Sequence, residues 1–360
     1  MDIIFHCDEL NERGTAKACF DYALYNEIIL GNNSIIIYDE NLNNHKNVIT
    51  KFKSQFKILS YKDFSQIDKN ISSKYDLMYV IKGGNVDNFC SKYIPTMVHA
   101  VFPQNFFQIH GSSYAFVSEW LSKKSFFRIP YVPHIVNYPK LLNNNNLRKS
   151  LSIPKEATVF ASYGGKNSFD IEFVRKIVIP NVLKMEKNIY FLFMNYDKFI
   201  DHPRAIFLPL SINSEFKEKF IGTANAMLHA RHLGESFGLA CAEFSSKNKP
   251  VISYRFSKDK NHEYVLASSI FLYSNSSDLI RILTTFNNKN LENLCFDSYL
   301  KKYNPETVID SFDKFLIRPA LKNKNIKILL NKRTIKNRIF VNKIFKLISK
   351  LLLPYLKIKN

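Results

Sequence analysis

The sequence predicts an α/β protein built from two Rossmann-like parallel-sheet domains, and three observations carry that expectation. Short apolar runs alternate with helical periodicities along most of the chain, the pattern of strands sandwiched between layers of helix. The chain has 360 residues, more than one compact core usually holds. Only ten glycines occur, and most follow apolar, strand-like runs, where a turn or a close backbone approach to a ligand requires one.

Taken in order, residues 2–6 read as the first strand. A helix follows with Ala16, Cys19, Phe20, Ala23, Leu24 and Ile28 on one stripe, and Gly31 stands where a left-handed C-terminal cap belongs. Strands are expected at 34–38, 77–81, 97–102 and 115–118, the last entering a helix that carries the only tryptophan, Trp120. Residues 137–154, with four asparagines at 143–146, read as a linker. The expected domains are therefore 1–140 and 155–317, joined by a linker at 141–154 and followed by a tail at 318–360. In the second domain, strands are expected at 159–161, 190–194, 206–210, 226–229, 251–253 and 270–273. Helices are expected at 170–187, 214–220 and from Leu239, and a helix at 305–317 closes the domain.

The stretch around which the second half is organised is 225–254. An apolar strand (226–229) breaks into a loop carrying Gly234, Glu235 and Gly238; a helix follows, and after Lys249-Pro250 comes a second strand. This is a strand–loop–helix–strand unit whose loop lies where parallel sheets hold their ligands. Leu239, Ala240 and Phe244 form the helix's apolar stripe, and Glu243 falls on it. A carboxylate turned inward is costly unless it is paired or bonds a ligand.

Gly234-Glu235-Ser236-Phe237-Gly238, four further residues and Glu243, with Lys249-Pro250-Val251-Ile252 downstream, resemble the Glu-x7-Glu motif and the following Pro-Val-Ile strand of family-4 (group 1) retaining glycosyltransferases of the GT-B fold. The resemblance spans roughly 2–317 and is stronger in the second half. It implies two Rossmann-like domains facing a cleft, and transfer of a sugar with retention from a nucleotide-sugar to a glycan or lipid-linked acceptor. It also implies roles. Glu243 would bind the donor's ribose. Glu235, with the backbone of Ser236, Phe237 and Gly238, would hold the donor sugar and face its reactive carbon. Gly14 matches the glycine loop after the first strand, although a plain turn explains it equally. His99 matches the strand-end histidine that contacts the donor sugar; a core histidine is the alternative. Relatives carry Gly-Arg after the first strand of the second domain, whereas this chain has Ser162 there. Lys166 and Arg231 are the remaining candidates for the diphosphate. No Asp-x-Asp triplet or Gly-x-x-x-x-Gly-Lys-Ser/Thr loop occurs, so no metal or cofactor is expected.

The net charge of +20 is unevenly distributed. Residues 318–360 hold 13 Lys or Arg and no acid, which leaves 38 basic and 31 acidic residues elsewhere. On a helical wheel, Phe340, Val341, Ile344, Phe345, Leu347, Ile348, Leu351 and Leu352 share one face, and Arg338, Lys343, Lys346 and Lys350 the other. Such a helix, over 335–353, matches an anionic membrane surface, or alternatively packs its apolar face on the first domain. Five cysteines without a Cys-x-x-Cys pair argue for free thiols and a reducing compartment. Met1-Asp2 runs straight into a strand pattern, and no apolar run reaches the ~20 residues that cross a bilayer. The expected location is cytoplasmic, peripheral on the inner face of a membrane. Two rival readings follow from the same features: a catalytically silent nucleotide-sugar-binding subunit of a glycan-assembly complex, motivated by Ser162, and a DNA-directed glycosyltransferase, motivated by the charge. Nucleic acid ranks last because the body lacks clustered aromatic and basic runs.

Overall fold

Ile3, Ile4 and Phe5 are fully buried and place β1 (Asp2–His6) at the middle of a sheet. In this computed structural model, residues 1–71, 74–125, 129–137, 146–211, 213–287, 291 and 293–322 are described. They divide into two compact units: 1–11, 15–133 and 309–322 form the first, and 12–14 with the described residues of 134–308 the second.

The first unit is a six-stranded parallel sheet of β1, β2 (Asn33–Asp39), β3 (Lys57–Tyr61), β4 (Leu77–Lys82), β5 (Thr96–Ala100) and β6 (Ser113–Phe116), in spatial order 3-2-1-4-5-6. Every residue of β4 and β5 is buried, as a parallel strand covered on both faces requires. β3 escapes sequence reading because Lys-Ile-Leu-Ser-Tyr is short, half-exposed and at the sheet edge.

The helix Gly14–Leu30 forms as expected, and Gly31, at φ +66°, caps it by donating to the Glu27 carbonyl. Its buried face is rotated from the apolar stripe: Ile28 is 65% exposed, while Tyr22 and Asn26 are buried. Both buried side chains spend their polar atoms inside the unit, Tyr22 Oη donating to the Pro133 carbonyl (2.5 Å) and Asn26 Nδ2 to Ser34 Oγ (2.9 Å).

The second unit repeats the topology. β7 (Thr158–Tyr163), β8 (Ile189–Met194), β9 (Ala205–Leu208), β10 (Ala226–His229), β12 (Val251–Tyr254) and β14 (Ile270–Tyr273) form a parallel sheet in order 14-12-10-7-8-9. Counted within the unit this is again 3-2-1-4-5-6, so successive connections leave opposite sides of β7 and β10 and open a crevice at their carboxyl ends. A separate two-stranded pair joins β11 (Gly234–Glu235) to β13 (Asp259–Lys260).

The described part of the expected linker, 146–154, is tied into the second unit. The Arg148 guanidinium donates to the carbonyls of Pro154, Lys155, Ala157 and Thr223. The helix expected at 170–187 contains a widened turn over Val174–Val178, where Ile179 N–H bonds the Val174 carbonyl five residues back. Pro180 follows directly and lacks an N–H, so the wider turn absorbs the missing donor. The same device recurs at Asp313–Ile317, just ahead of Pro319.

That second case corrects the expected end of the domain. From Ile309 the chain belongs to the first unit: Phe312 lies against Tyr22 (5.1 Å) and Tyr79 (5.3 Å), and Ser113 Oγ donates to the Leu316 carbonyl (2.8 Å). The amphipathic helix expected over 335–353 lies outside the described residues. No helix among the described residues is long and apolar enough to cross a membrane. All five cysteines are free, and only Cys295 is exposed.

Candidate functional site

The loop between β10 and the helix Leu239–Ser246 is held by backbone geometry that only glycine meets. Gly234 sits at φ +66°, and a Cβ there would lie 2.0 Å from the Asp259 carbonyl oxygen, its partner in the β11–β13 pair. Gly238, at φ +92°, opens the helix; a Cβ on it would come within 3.1 Å of Glu235 Cβ. The glutamate side chain therefore packs across the second glycine. Phe237 anchors the loop from beneath. Its ring is buried against His134 (4.8 Å) and Tyr303 (5.4 Å), and its carbonyl accepts from Asn261 Nδ2 and Tyr299 Oη, each at 2.8 Å.

On this scaffold Glu235 is aimed with one oxygen spent. Oε1 accepts from Arg231 Nη1 (3.0 Å) and lies 3.2 Å from His229 Nε2; among the described residues nothing donates to Oε2, and the side chain keeps 18% of its surface exposed. Burial by itself pushes the carboxyl up. The hydrogen bond from His229 and the Arg231 charge outweigh it and bring the group from its ordinary 4.5 down to about 2. An ionised carboxylate with an open oxygen is an acceptor for hydroxyl donors.

His229 is itself braced. Its Nδ1 meets Ser253 Oγ (2.8 Å), its register partner on β12, and Ser253 Oγ also meets His262 Nε2 (2.8 Å) on the helix Asn261–Leu266. Sequence reading missed all three. The available signal was a polar residue at the end of one apolar strand and one residue before the end of its neighbour.

The other expected site residues are placed as follows. Arg231 joins Glu235 directly. Ser162, at the end of β7, is 1% exposed, and its hydroxyl meets Tyr196 Oη (3.2 Å) rather than opening outward. Burial pushes the Tyr196 phenol up to about 12, with the bond to Ser162 acting against it and the Glu235 charge adding to it. Glu243 faces inward as expected, 2% exposed, with Oε2 3.3 Å from Lys217 Nζ. The cation that meets it was not anticipated. Lys166 does not join Glu235: it is 66% exposed and pairs with exposed Asp197 at 3.2 Å. Gly14, in the 12–14 segment of the second unit, lies against the first residue of the helix behind Glu235, since a Cβ there would meet Leu239 Cδ1 at 2.9 Å.

His99 is the histidine expected at the end of a first-domain strand, and that strand is β5. It lies in the first unit, fully buried, with Nδ1 on Tyr79 Oη (2.8 Å) and Nε2 on the Val132 carbonyl (2.7 Å). Burial brings it down to about 4, so the ring is a neutral core group whose two nitrogens are both occupied. Among the described residues, no group of three or more His, Cys, Asp or Glu is arranged to hold a metal ion.

No protein-family model and no curated protein sequence matches the chain. Solved structures do resemble it. A glycosyltransferase from Rickettsia africae is 15% identical, with a TM-score of 0.61, over 93% of this chain and 99% of that one. Anabaena HepE in complex with UDP-glucose is 11% identical at a TM-score of 0.67, over 87% and 98%. The N-terminal domain of a Candida albicans trehalose-6-phosphate phosphatase is 8% identical at 0.62, over 88% and 97%. At such identities the likeness defines the fold, two parallel-sheet α/β domains of the GT-B class, and the chemistry has to be argued from the site.

Proposed function

We propose that this protein is a glycosyltransferase that takes a sugar from a nucleotide-sugar donor. The observation that carries the reading is Glu235: an ionised carboxylate with one oxygen pinned and the other open, at the carboxyl ends of strands beside the switch point of a Rossmann-like sheet. Two of the fold's neighbours support it, one a glycosyltransferase and one solved with UDP-glucose.

In this reading Glu235 Oε2 accepts the donor sugar's hydroxyls and fixes its reactive carbon. The bond from that carbon to the diphosphate breaks, a bond to the acceptor oxygen forms on the same face, and the acceptor's proton passes to the departing phosphate. That is retention, the course implied by the Glu-x7-Glu resemblance to family 4. Glu243 takes the ribose hydroxyls once Lys217 is displaced from it, and Lys217 then lies beside the bound nucleotide. Arg231 holds Glu235 ionised and adds positive potential for the leaving group. No metal is assigned to the site. The acceptor is a glycan or lipid-linked sugar, and the 335–353 segment holds the protein on an anionic membrane surface at the cytoplasmic face.

A mass-detected screen of UDP-, GDP- and ADP-sugars tests the reading, with Glu235→Gln as control. Turnover of one donor, lost in the variant, is the expected result; no turnover and no sugar-dependent binding with any donor overturns it. Binding to vesicles of phosphatidylglycerol and phosphatidylcholine, lost on deleting 323–360, tests the membrane component. Ser162, turned onto Tyr196 where relatives carry arginine, favours the silent-subunit reading instead. Nucleotide-sugar binding without turnover, unchanged by Glu235→Gln, would establish that one.

A further inference from the structure

Behind Glu235 a single file of polar side chains runs into an otherwise apolar interior: Glu235 Oε1, His229, Ser253 and His262, linked at 3.2, 2.8 and 2.8 Å. Ser253 and His262 are fully buried, and His229 nearly so. Their neighbours on the strands, Leu228 and Ile252, are apolar and buried. Three buried polar side chains with little or no solvent contact are costly unless their hydrogen bonds are mutually consistent, so the direction of each bond matters.

With both imidazoles neutral, only one direction satisfies the file. The carboxylate has no proton to give, so His229 Nε2 carries the hydrogen and donates to it. His229 Nδ1 is then an acceptor and takes the hydrogen of Ser253. That hydroxyl has only one hydrogen, so its oxygen accepts from His262 Nε2–H. His262 Nδ1, which has no partner among the described residues, is left as a bare lone pair. Burial foremost keeps His262 well below its ordinary value, consistent with a neutral ring. The charged groups acting on these rings come from several elements: Arg231 beyond β10, Lys260 on β13, Glu263 on the following helix and Glu235 itself.

We infer that Ser253 and His262 are positioning residues for Glu235: acting through His229, they lock the tautomer that donates to Oε1 and so leave Oε2 as the oxygen presented to the donor sugar. The inference deepens the proposed function and rests on it for its ligand, while the tautomer itself can be read without one. Neither residue touches substrate. Their effect is on which hydrogen His229 offers, and an apolar side chain of equal size cannot reproduce it.

The experiment combines two measurements on the full chain carrying 15N-labelled histidine. Long-range 1H–15N spectra of the imidazoles at neutral pH report the tautomers. His229 and His262 are expected as Nε2–H forms in the wild type. In Ser253→Ala the His229 signal is expected to move to a mixture of tautomers, and in Ser253→Thr to return to the Nε2–H form. In parallel, affinities for UDP and UDP-glucose are compared. The gain in affinity from the glucose is expected to fall about tenfold or more in Ser253→Ala and in His262→Phe, the scale of one hydrogen bond to a charged group, and to be largely restored in Ser253→Thr. UDP affinity and the far-UV spectrum serve as the folding controls. Should Ser253→Ala not fold, the wild-type spectrum and His262→Phe decide the matter. A wild-type His229 found as the Nδ1–H form or as the imidazolium overturns the inference, as does a Ser253→Ala protein with unchanged tautomer and unchanged sugar gain. If glucose adds nothing in the wild type and Glu235→Gln changes nothing, the transferase reading fails, and the imidazole spectra still support or overturn the lock.

Discussion

Replacing Glu235 by glutamine keeps the shape of the side chain and removes its charge. Burial alone would raise the wild-type carboxyl, but the His229 hydrogen bond and the Arg231 charge bring it from 4.5 to about 2. A folded-state value below the unfolded one means stability that is complete above about 4.5 and lost as pH falls towards 2. The interval corresponds to roughly 3 kcal/mol at neutral pH, taking about 1.4 kcal/mol per tenfold. The variant should therefore be less stable than wild type by about that amount at pH 7. By the same relation the gap shrinks to roughly half near pH 3 and closes near pH 1. The side chain is 18% exposed, so solvent screening takes little from this figure. Tryptophan fluorescence is the wrong probe, because the only tryptophan, Trp120, lies in the first unit. Hydrogen exchange of peptides covering β10 and β12 reports the second unit directly. A pH 7 difference under about 1 kcal/mol, or one that does not change with pH, would refute the argument that these two donors hold the carboxylate ionised.

Three further outcomes follow from the same geometry. Gly234→Ala forces a left-handed φ and a Cβ onto the Asp259 carbonyl, so the β11–β13 pair should part; calorimetry should register a loss of about 2–4 kcal/mol, and sugar-dependent binding should disappear. Phe237→Ala empties the anchor beneath the loop and should cost about 3–5 kcal/mol, with exchange in 234–246 accelerating before that of the sheet strands. His99→Phe strands Tyr79 Oη and leaves the Val132 carbonyl only its long bond from Tyr22 Oη, and should destabilise the first unit by about 1–3 kcal/mol without altering UDP affinity. Because burial brings His99 from 6.5 to about 4, its wild-type contribution is full above 6.5 and lost as pH falls through 4; the variant should lack that acid-side loss in thermal scans.

What the sequence determined by itself is local. Continuous apolar runs such as Ile3-Ile4-Phe5 or Val159-Phe160-Ala161 are long enough only for strands and carry no polar face, so they specify parallel strands buried on both sides. The spacing of Gly234, Glu235 and Gly238 declares a backbone that needs left-handed turns, and those turns are found. Free thiols and the inward direction of Glu243 follow from the same local logic. Tertiary structure decided what depends on partners distant along the chain. The first helix turns Tyr22 and Asn26 inward instead of Ile28 because their hydrogen-bond partners come from Pro133 and Ser34. The edge strand β3 exists through pairing with β2 rather than through its own apolar content. His99 becomes a core residue because Tyr79 and Val132 close on both its nitrogens. Above all, Glu235 owes its ionised state to the hydrogen bond from His229 and the charge of Arg231, which reach it only through the fold. Periodicity records which face of an element is apolar. It does not record which polar atoms from neighbouring strands will meet there, and that meeting is settled only by register and packing.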